Sequence, residues 1–470
     1  MKILLCTFWT FPHTGGINTY INILKSELEK TGNEVDIFAH HPSFEYYYLL
    51  GKQELRIDKA PLYKQIYTYI QSYYTNLFPQ MDPWIIEMEA ERYSFEAACS
   101  SLKLDEYHII HVQDVISSAA LSRIKPQHVP LISTIHGWFT NEYYLDHPNS
   151  GKGTLPWIYN QYIEYSGLTS SQLTLLPSKW LKDIYLNDVK IPPAQLIHVP
   201  YGIKTDRFTT KANDTLEPLE PLSPELKIIS CVARLVPVKG HKYLMEALSL
   251  LKNDRNDWIC YFVGDGTLRE ELELLSKNLG LEKHLKFVGA RIDVQYWLQQ
   301  SDIIVLSSIQ DNQPFVVMEA QMSGKPVIVT DAGGMPEMVE HEKTGLIAKK
   351  ASSESIYSNI KLLMDSEELR IKIGNASQNW ALDTWSVNNM LILVNSIYKQ
   401  ITLDKREGGF MKAKKNPDND SSIKSVYPYS NESLFNDKDL EIWKEIIPHL
   451  PNGYTVPDPN IVKLIQKSTS

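Results

Sequence analysis

Residues 302–331, "DIIVLSSIQDNQPFVVMEAQMSGKPVIVTD", hold a strand, a loop, a helix and a second strand. "DIIVLSS" and "KPVIVTD" are short continuous apolar runs, the pattern of strands covered on both faces, as in a parallel sheet. Between them Pro314 suits the first turn of a helix, where its missing N–H is not needed, and a helix is predicted over 315–323. The unit places Asp311 in the loop before that helix and Glu319 one turn inside it. Free N–H groups and the positive dipole end at the helix start form a seat for phosphate. A carboxylate accepts two hydrogen bonds at once, which suits a vicinal diol. Each acid also has a plainer role: Asp311 or Asn312 as a helix cap, and Glu319 as a solvent-facing residue.

The same alternation extends outward. "KIISCVARL", "WICYFVG" and "LKFVG" precede the stretch and "GLI" follows it, with helical patterns near 241–253, 267–279 and 293–300. In the first half, "KILLCTF", a loop, a helix from Ile17 to Lys30 and "EVDIF" repeat the unit. "HIIHV", "LISTI", "LTLLP" and "LIHVP" supply further strands. A chain of 470 residues is long for one core. The expected class is α/β, with two Rossmann-like, doubly wound domains facing across a cleft and a short C-terminal extension. Ligands of such sheets bind outside the C-terminal ends of the strands. The expected domains are 1–215 and 216–385, joined through the Pro- and Glu-rich connector "EPLEPLSPE" at 217–225. A helix over 386–403 returns toward the first domain, and 404–470 forms a polar linker and a helical tail. In the tail, Leu440, Ile442, Trp443, Ile446 and Ile447 make an apolar stripe expected to dock on the body. Between about 42 and 94 the pattern breaks into a tyrosine-rich segment, which reads as an insertion and not as a continuation of the sheet.

Composition narrows the function. Against 47 basic residues stand 56 acidic ones, a formal charge of −9, which argues against a dedicated nucleic-acid binder. Cys6, Cys99, Cys231 and Cys260 have neither metal-ligand nor redox spacing, so buried free thiols in a reducing cytoplasm are expected. "MKILLCTFWTF" lacks the shape of a signal peptide and no apolar run is long enough to span a membrane, which leaves peripheral contact at the inner face open. The Asp-x-Asp pairs Asp418/Asp420 and Asp437/Asp439 lie in the tail, away from strand ends, and no metal is expected.

The remaining candidates all follow strands. Arg234 and Lys239 in "ARLVPVKG" are a guanidinium fork and a flexible ammonium, the usual pair for a diphosphate. Gly264 in "FVGDG" lets backbone approach a ligand, and Val288 in "KFVG" can offer backbone groups to a nucleobase. Gly15 and Gly16 open the first helix without a full G-x-G-x-x-G, which disfavours a nicotinamide dinucleotide. His136 in "STIHG" and the stretch "HVQD" from His111 end strands of the first half.

Taken together and in order, "GGINTYINILKSELEKTGNEVDIF", "STIHG", "VPYGIKTDRF", "VARLVPVKG", "GDG", "FVG", "DNQPFVVMEAQMSGKPVIVTDAGGMPEMV" and "TGLI" resemble the retaining, GT-B-fold glycosyltransferases of family 4, over about residues 1–400. The resemblance implies a nucleoside-diphosphate-sugar donor. Arg234 and Lys239 would hold its diphosphate, Asp311 its sugar and Glu319 its ribose. Pro314, Phe315 and Val316 would form the helix start at the phosphate, with Phe315 and Val316 lending N–H groups. Gly16 would let the first loop approach phosphate and acceptor, and His136 would lie beside the transferred sugar. Two departures stand out: Asp311 replaces the commoner glutamate, one methylene longer, and Pro314 the usual glycine.

The implied reaction is metal-independent transfer of a hexose or N-acetylhexosamine to an acceptor hydroxyl with retention, in bacterial glycan biosynthesis. No cofactor is expected. The donor is expected to be a UDP-sugar, with GDP- and ADP-sugars as alternatives. The acceptor is a glycan, a lipid-linked sugar or a small molecule, and the oligomeric state is open. The tyrosine-rich segment is expected over the acceptor face or packed as a local helical subdomain. Rival readings are a glycosidase using Asp311 and Glu319, which leaves the cations idle, a GT-B nucleotide-sugar epimerase, and a non-catalytic glycan- or protein-binding partner of a transferase.

Overall fold

The computed structural model describes residues 1–13, 15–147, 151–205, 225–406, 446–451 and 454–469. Positions 217–224 of the connector, both Asp-x-Asp pairs, and Leu440, Ile442 and Trp443 of the expected tail stripe lie outside the described residues. The chain divides into two compact units: Met1–Leu176, Ile184–Ile197 and the described parts of Leu393–Ser470 form the first, and Pro177–Asp183 with the described parts of His198–Ile392 form the second.

The first unit carries an eight-stranded sheet in the order β4-β3-β2-β1-β5-β6-β7-β8. The strands are β1 (Lys2–Thr10), β2 (Glu34–His40), β3 (Tyr46–Leu49), β4 (Lys52–Asp58), β5 (Ile109–Val112), β6 (Leu131–Thr134), β7 (Leu173–Leu176) and β8 (Leu196–His198). β1 pairs in parallel with both β2 and β5. Ile3, Leu4, Leu5 and Cys6 are all fully buried, as a strand covered on both faces requires. Its helices are α1 (Gly16–Lys30), α2 (Lys59–Leu77), α3 (Pro83–Ser100), α4 (Val115–Ile124), α5 (Phe139–Asp146), α6 (Leu155–Ser170) and α7 (Lys179–Asn187), the last beginning in the second unit.

The segment 42–94 corrects the sequence reading. β3 pairs antiparallel with β2 and β4 with β3, so the sheet continues through it. The reversal hid it, since an antiparallel edge breaks the β–α rhythm. Only Tyr47 and Leu49 of β3 face the core. The tyrosines that follow have a structural task. Glu89 on α3 is fully buried and accepts from Tyr74 (3.2 Å), Tyr159 (2.7 Å) and the guanidinium of Arg92 (3.0 Å). Buried charge survives only when paired and hydrogen-bonded in this way.

The second unit holds a six-stranded sheet in the order β11-β10-β9-β12-β13-β14, with every pairing parallel. These are β9 (Lys227–Val232), β10 (Trp258–Val263), β11 (Leu285–Gly289), β12 (Ile303–Leu306), β13 (Val327–Thr330) and β14 (Leu346–Ala348). The helices are α8 (His241–Asp254), α9 (Arg269–Asn278), α10 (Val294–Gln300), α11 (Phe315–Met322), α12 (Ser353–Asp365) and α13 (Glu367–Thr384). α14 (Val387–Arg406) starts in this unit and belongs to the first from Leu393 onward. The expected boundary at 215 is displaced toward the N-terminus. Residues from His198 already pack on the second unit, where Tyr201 stacks on Phe315 (5.0 Å, 7°) and Ile203 N–H donates to the Trp385 carbonyl (2.8 Å).

Near its C-terminus the chain adds α15 (Pro459–Thr469) to the first unit, packed against α6, with Ile461, Val462 and Ile465 buried. Ahead of it, Asp458 pairs with Arg123 (3.2 Å), which also pairs with the buried Glu96 (3.0 Å) and donates to the Thr455 carbonyl. The Asp458 N–H donates to the Tyr93 hydroxyl (2.6 Å). The Arg123 guanidinium packs over the rings of Tyr93 and Tyr454. Burial alone would raise the Asp458 carboxyl, but the guanidiniums of Arg123 and Arg92 outweigh it and hold it below the usual aspartate range. Its stabilising contribution is therefore present above the ordinary aspartate value and lost as pH falls through the lower folded one. Asp458→Ala should cost about 3–5 kcal/mol, as for a broken buried pair, measured by urea unfolding near pH 7. The difference from the parent chain should shrink in acid.

Candidate functional site

Because every strand of the second sheet points the same way, the loops after β9, β10, β11, β12 and β13 emerge at one edge. The order reverses between β9 and β12, the place where open parallel sheets take up ligands. Lys239 follows β9 and Asp311 follows β12. Across this switch the Lys239 ammonium meets the Asp311 carboxylate at 2.5 Å, with both side chains mostly buried. Ser308 also donates to Asp311 (3.2 Å), and Ser307 donates to the Lys239 carbonyl (3.2 Å). The two loops are laced together by their backbones, since Ile309 N–H donates to the Val238 carbonyl (2.9 Å).

Three glycines make these approaches possible. Gly240, with φ +62°, lets the turn into α8 pass Ser307, whose carbonyl a Cβ would meet at 2.3 Å. A Cβ on Gly264 would stand 2.0 Å from the Ala233 carbonyl oxygen. Gly333, with φ +64°, presses on the Asp311 carbonyl. Arg234 is exposed on the β9 loop, and no ion pair to it falls among the described residues. α11 begins after Pro314 and has no side-chain cap of its own. Phe315 is buried, whereas Val316 and Glu319 are half-buried on its first turns. Val288 lies one residue before the end of β11, beside Gly289, whose carbonyl accepts from Gly264 N–H (2.9 Å). Asn312 bonds to Ser178, which in turn caps α7 by accepting from Leu181 N–H (3.1 Å). Glu337 completes that cap, accepting from Lys179 (2.9 Å) and Trp180 (2.6 Å) N–H groups.

In the first unit the predicted residues also gather at one sheet edge. Gly15 and Gly16 start α1 directly after the β1 loop, and the loop is held from β3, where the Tyr48 hydroxyl donates to the Phe11 carbonyl (2.6 Å). His136 follows β6. Its Nε2 lies 3.2 Å from Gln113 Oε1, and Tyr20 of α1 packs edge-on against its ring at 5.1 Å. Burial, with smaller contributions from His111 and His13, pushes His136 down to about 3, so the imidazole is neutral throughout the physiological range. His111 faces inward, its Nδ1 2.7 Å from the Tyr398 hydroxyl of α14 and its Nε2 2.7 Å from Thr134. Asp114 ties β1 to α4, accepting from Phe8 N–H (2.8 Å), Thr7 (3.0 Å) and Ser117 N–H (2.7 Å).

Sequence reasoning missed Ser308, Gly333 and Tyr398, and it picked out Gln113 only as part of the stretch "HVQD". The glycine pair in "VTDAGGMPE" follows a strand and was a usable signal. Nothing local marks Tyr398, whose partner His111 lies in another segment, whereas Ser308 bonds to Asp311 within its own loop.

Comparison with known proteins bears on the whole architecture. The family model described as Glycosyltransferase Family 4 matches residues 14–207, and that of Glycosyl transferases group 1 matches 215–380. The UDP-Gal:alpha-D-GlcNAc-diphosphoundecaprenol alpha-1,3-galactosyltransferase of Escherichia coli is 24% identical over 65% of this chain and 78% of its own. The D-inositol 3-phosphate glycosyltransferase of Corynebacterium efficiens is 25% identical over 87% of this chain and 97% of its own. Matches to some other curated relatives span about half of their length. Among solved structures, Anabaena Alr3699/HepE in complex with UDP superposes with a TM-score of 0.58 at 17% identity, over 85% of this chain and 100% of that one.

The lacing around Asp311 gives a direct test. A Cβ on Gly333 would stand 1.7 Å from the Asp311 carbonyl oxygen. Gly333→Ala should lose more than the roughly 1–2 kcal/mol of its left-handed backbone alone. A urea midpoint equal to that of the parent chain would show that the Asp311 loop is free to move.

Proposed function

Because the chain belongs to the group 1 glycosyl transferases, with the GT-B fold, we propose that it moves a hexose or N-acetylhexosamine from a nucleoside-diphosphate-sugar to an acceptor hydroxyl with retention of configuration. The observation that carries the placement is the Lys239–Asp311 pair across the β9/β12 switch, beside the uncapped start of α11. A diphosphate seated there gains the Lys239 ammonium, the exposed Arg234 guanidinium and the Phe315 and Val316 amides. These groups oppose the negative charge that builds on the leaving group as the glycosidic bond breaks. Asp311 holds Lys239 in place before the donor arrives and is also assigned to a hydroxyl of the donor sugar. Glu319 is assigned to the ribose.

The departing phosphate oxygen takes the acceptor proton, so no separate base is required. To the first unit the proposal assigns the acceptor, at the edge where Gly15, Gly16 and His136 lie, with the neutral His136 ring able both to donate and to accept. UDP is the proposed nucleotide, a choice supported by the UDP bound to the Anabaena protein of the same fold. A lipid-linked acceptor is supported by the diphosphoundecaprenol-linked substrate named for the Escherichia coli relative. Among the described residues no helix is long and apolar enough to cross a membrane. Such an acceptor would be met at a membrane surface.

Calorimetry with UDP tests the placement. Arg234→Ala and Lys239→Ala should each weaken binding by about 1.5–3 kcal/mol, the range for hydrogen bonds to charged groups. Undiminished affinity in both variants would remove the diphosphate from this edge. Transfer from UDP-galactose, UDP-glucose or UDP-N-acetylglucosamine should persist in excess EDTA, because protein cations supply the counter-charge. Loss of turnover in EDTA with UDP still bound would replace that account with a metal-assisted one.

A further inference from the structure

Glu164 is a buried carboxyl that the proposed reaction leaves without a task. It lies on α6, 1% exposed, and four hydrogen bonds converge on it. Its Oε1 accepts from Phe139 N–H (3.0 Å) and from the Tyr185 hydroxyl (2.9 Å). Its Oε2 accepts from Thr140 N–H (3.3 Å) and the Thr140 hydroxyl (2.6 Å). Phe139 and Thr140 open α5, three residues after His136. The N-cap of α5 is Trp138, which supplies no cap bond, so Glu164 caps the helix from a different element.

The same carboxyl controls the peptide between His136 and α5. The Tyr185 hydroxyl lies 3.0 Å from the Gly137 carbonyl and 2.9 Å from Glu164, and it has one proton for the two acceptors. When Glu164 is ionised, that proton goes to the carboxylate. When Glu164 is protonated, the acid donates to the tyrosine oxygen and the tyrosine proton is released to Gly137.

Burial lifts the Glu164 carboxyl to about 7, against the pull of its hydrogen bonds from Thr140 and Tyr185. The ionisable groups around it are Tyr185 from α7 and Glu142 from α5. Arg92 of α3 lines the same small cavity as Phe139 and Asn160 and is already paired with Glu89.

We propose that Glu164 is a positioning residue for the transfer reaction, which caps α5 and, through Tyr185, holds or releases the Gly137 carbonyl and so sets the place of His136. The proposal rests on the assignment of His136 to the reaction, but its first test does not. In hydrogen exchange on the full chain, the Phe139 and Thr140 amides should gain protection as pH rises from 6 to 8, over and above the intrinsic rate change, because the ionised carboxylate accepts from them more strongly. Glu164→Gln should remove that pH dependence, because its amide does not ionise and offers only one oxygen to the donors that converge on the site. Glu164→Ala should exchange faster at every pH, by about threefold to tenfold per hydrogen bond lost. Tyr185→Phe keeps the Phe139 and Thr140 bonds to Glu164 and removes only the link to the Gly137 carbonyl, so it should keep the pH-dependent protection of those amides while altering the kcat profile, which guards against a Glu164→Ala chain that fails to fold.

In turnover of UDP-galactose, UDP-glucose or UDP-N-acetylglucosamine, the parent chain should show a limb near pH 7 in kcat that Glu164→Gln lacks, with UDP affinity equal in all variants. Exchange of 137–142 that is identical in parent, Glu164→Gln and Tyr185→Phe chains overturns the proposal, whatever the donor turns out to be. Altered exchange with no change in the kcat profile also overturns it, leaving Glu164 a cap and nothing more. Failure of UDP to bind the parent chain would strike the functional assignment instead.

Discussion

A parallel sheet delivers all of its strand ends to one edge, and the second unit is organised by what that edge must accommodate. Chain order reverses at β9 and β12, so two loops from distant segments are forced side by side. Two charges of opposite sign, Lys239 and Asp311, hold them there. Neither would be tolerated half-buried without the other, and each keeps hydrogen-bonding capacity to spare. Around that pair the backbone has little slack. Gly240, Gly264 and Gly333 sit where another chain segment passes closer than a side chain allows, so the loops are tight because of their glycines, not in spite of them.

The fold was legible where the chain's own rhythm shows it. "DIIVLSS" and "KPVIVTD" read as doubly covered strands because they have no polar face, and Pro314 marked the helix between them. The cations after β9 and the acids after β12 were legible because residue type and strand-end position agree. What escaped was non-local. The β3–β4 hairpin runs against the β–α alternation, and the tyrosines of the segment suggested a surface although Tyr47 is buried in the core and Tyr74 serves the buried Glu89. The boundary near 215 was misplaced because the Tyr201–Phe315 stack, which holds the last of the first half to the second unit, joins residues over a hundred positions apart. Glu164 escaped for the same reason, since a glutamate on a helix looks solvent-facing until Thr140 and Tyr185 are brought to it.

The first unit solves a different electrostatic problem. It buries Glu89, Arg92, Glu96, Asp114, Arg123 and Glu164, where an apolar core would have needed none of them. Such groups contribute little net stability after desolvation, but breaking any one strands its partners. Their effect is to fix register, with α3 tied to α6 through Glu89, β1 to α4 through Asp114, and α5 to α6 through Glu164. The edge carrying Gly15, Gly16 and His136 is thus held by directional bonds, which tolerate less sliding than packed methyl groups.

The clamp of Asp458 on Arg123 has a consequence for how the protein comes into being. During synthesis the ribosome releases all eight strands of the first sheet before the second unit exists, yet Ile461, Val462 and Ile465 arrive hundreds of residues later. Until then Arg123 lacks its second counter-charge, and the apolar bed on α6 is open to water. The first half to be made is thereby the last to be finished. A nascent chain interrupted anywhere before α15 leaves the ribosome with that surface bare and available to chaperones and proteases.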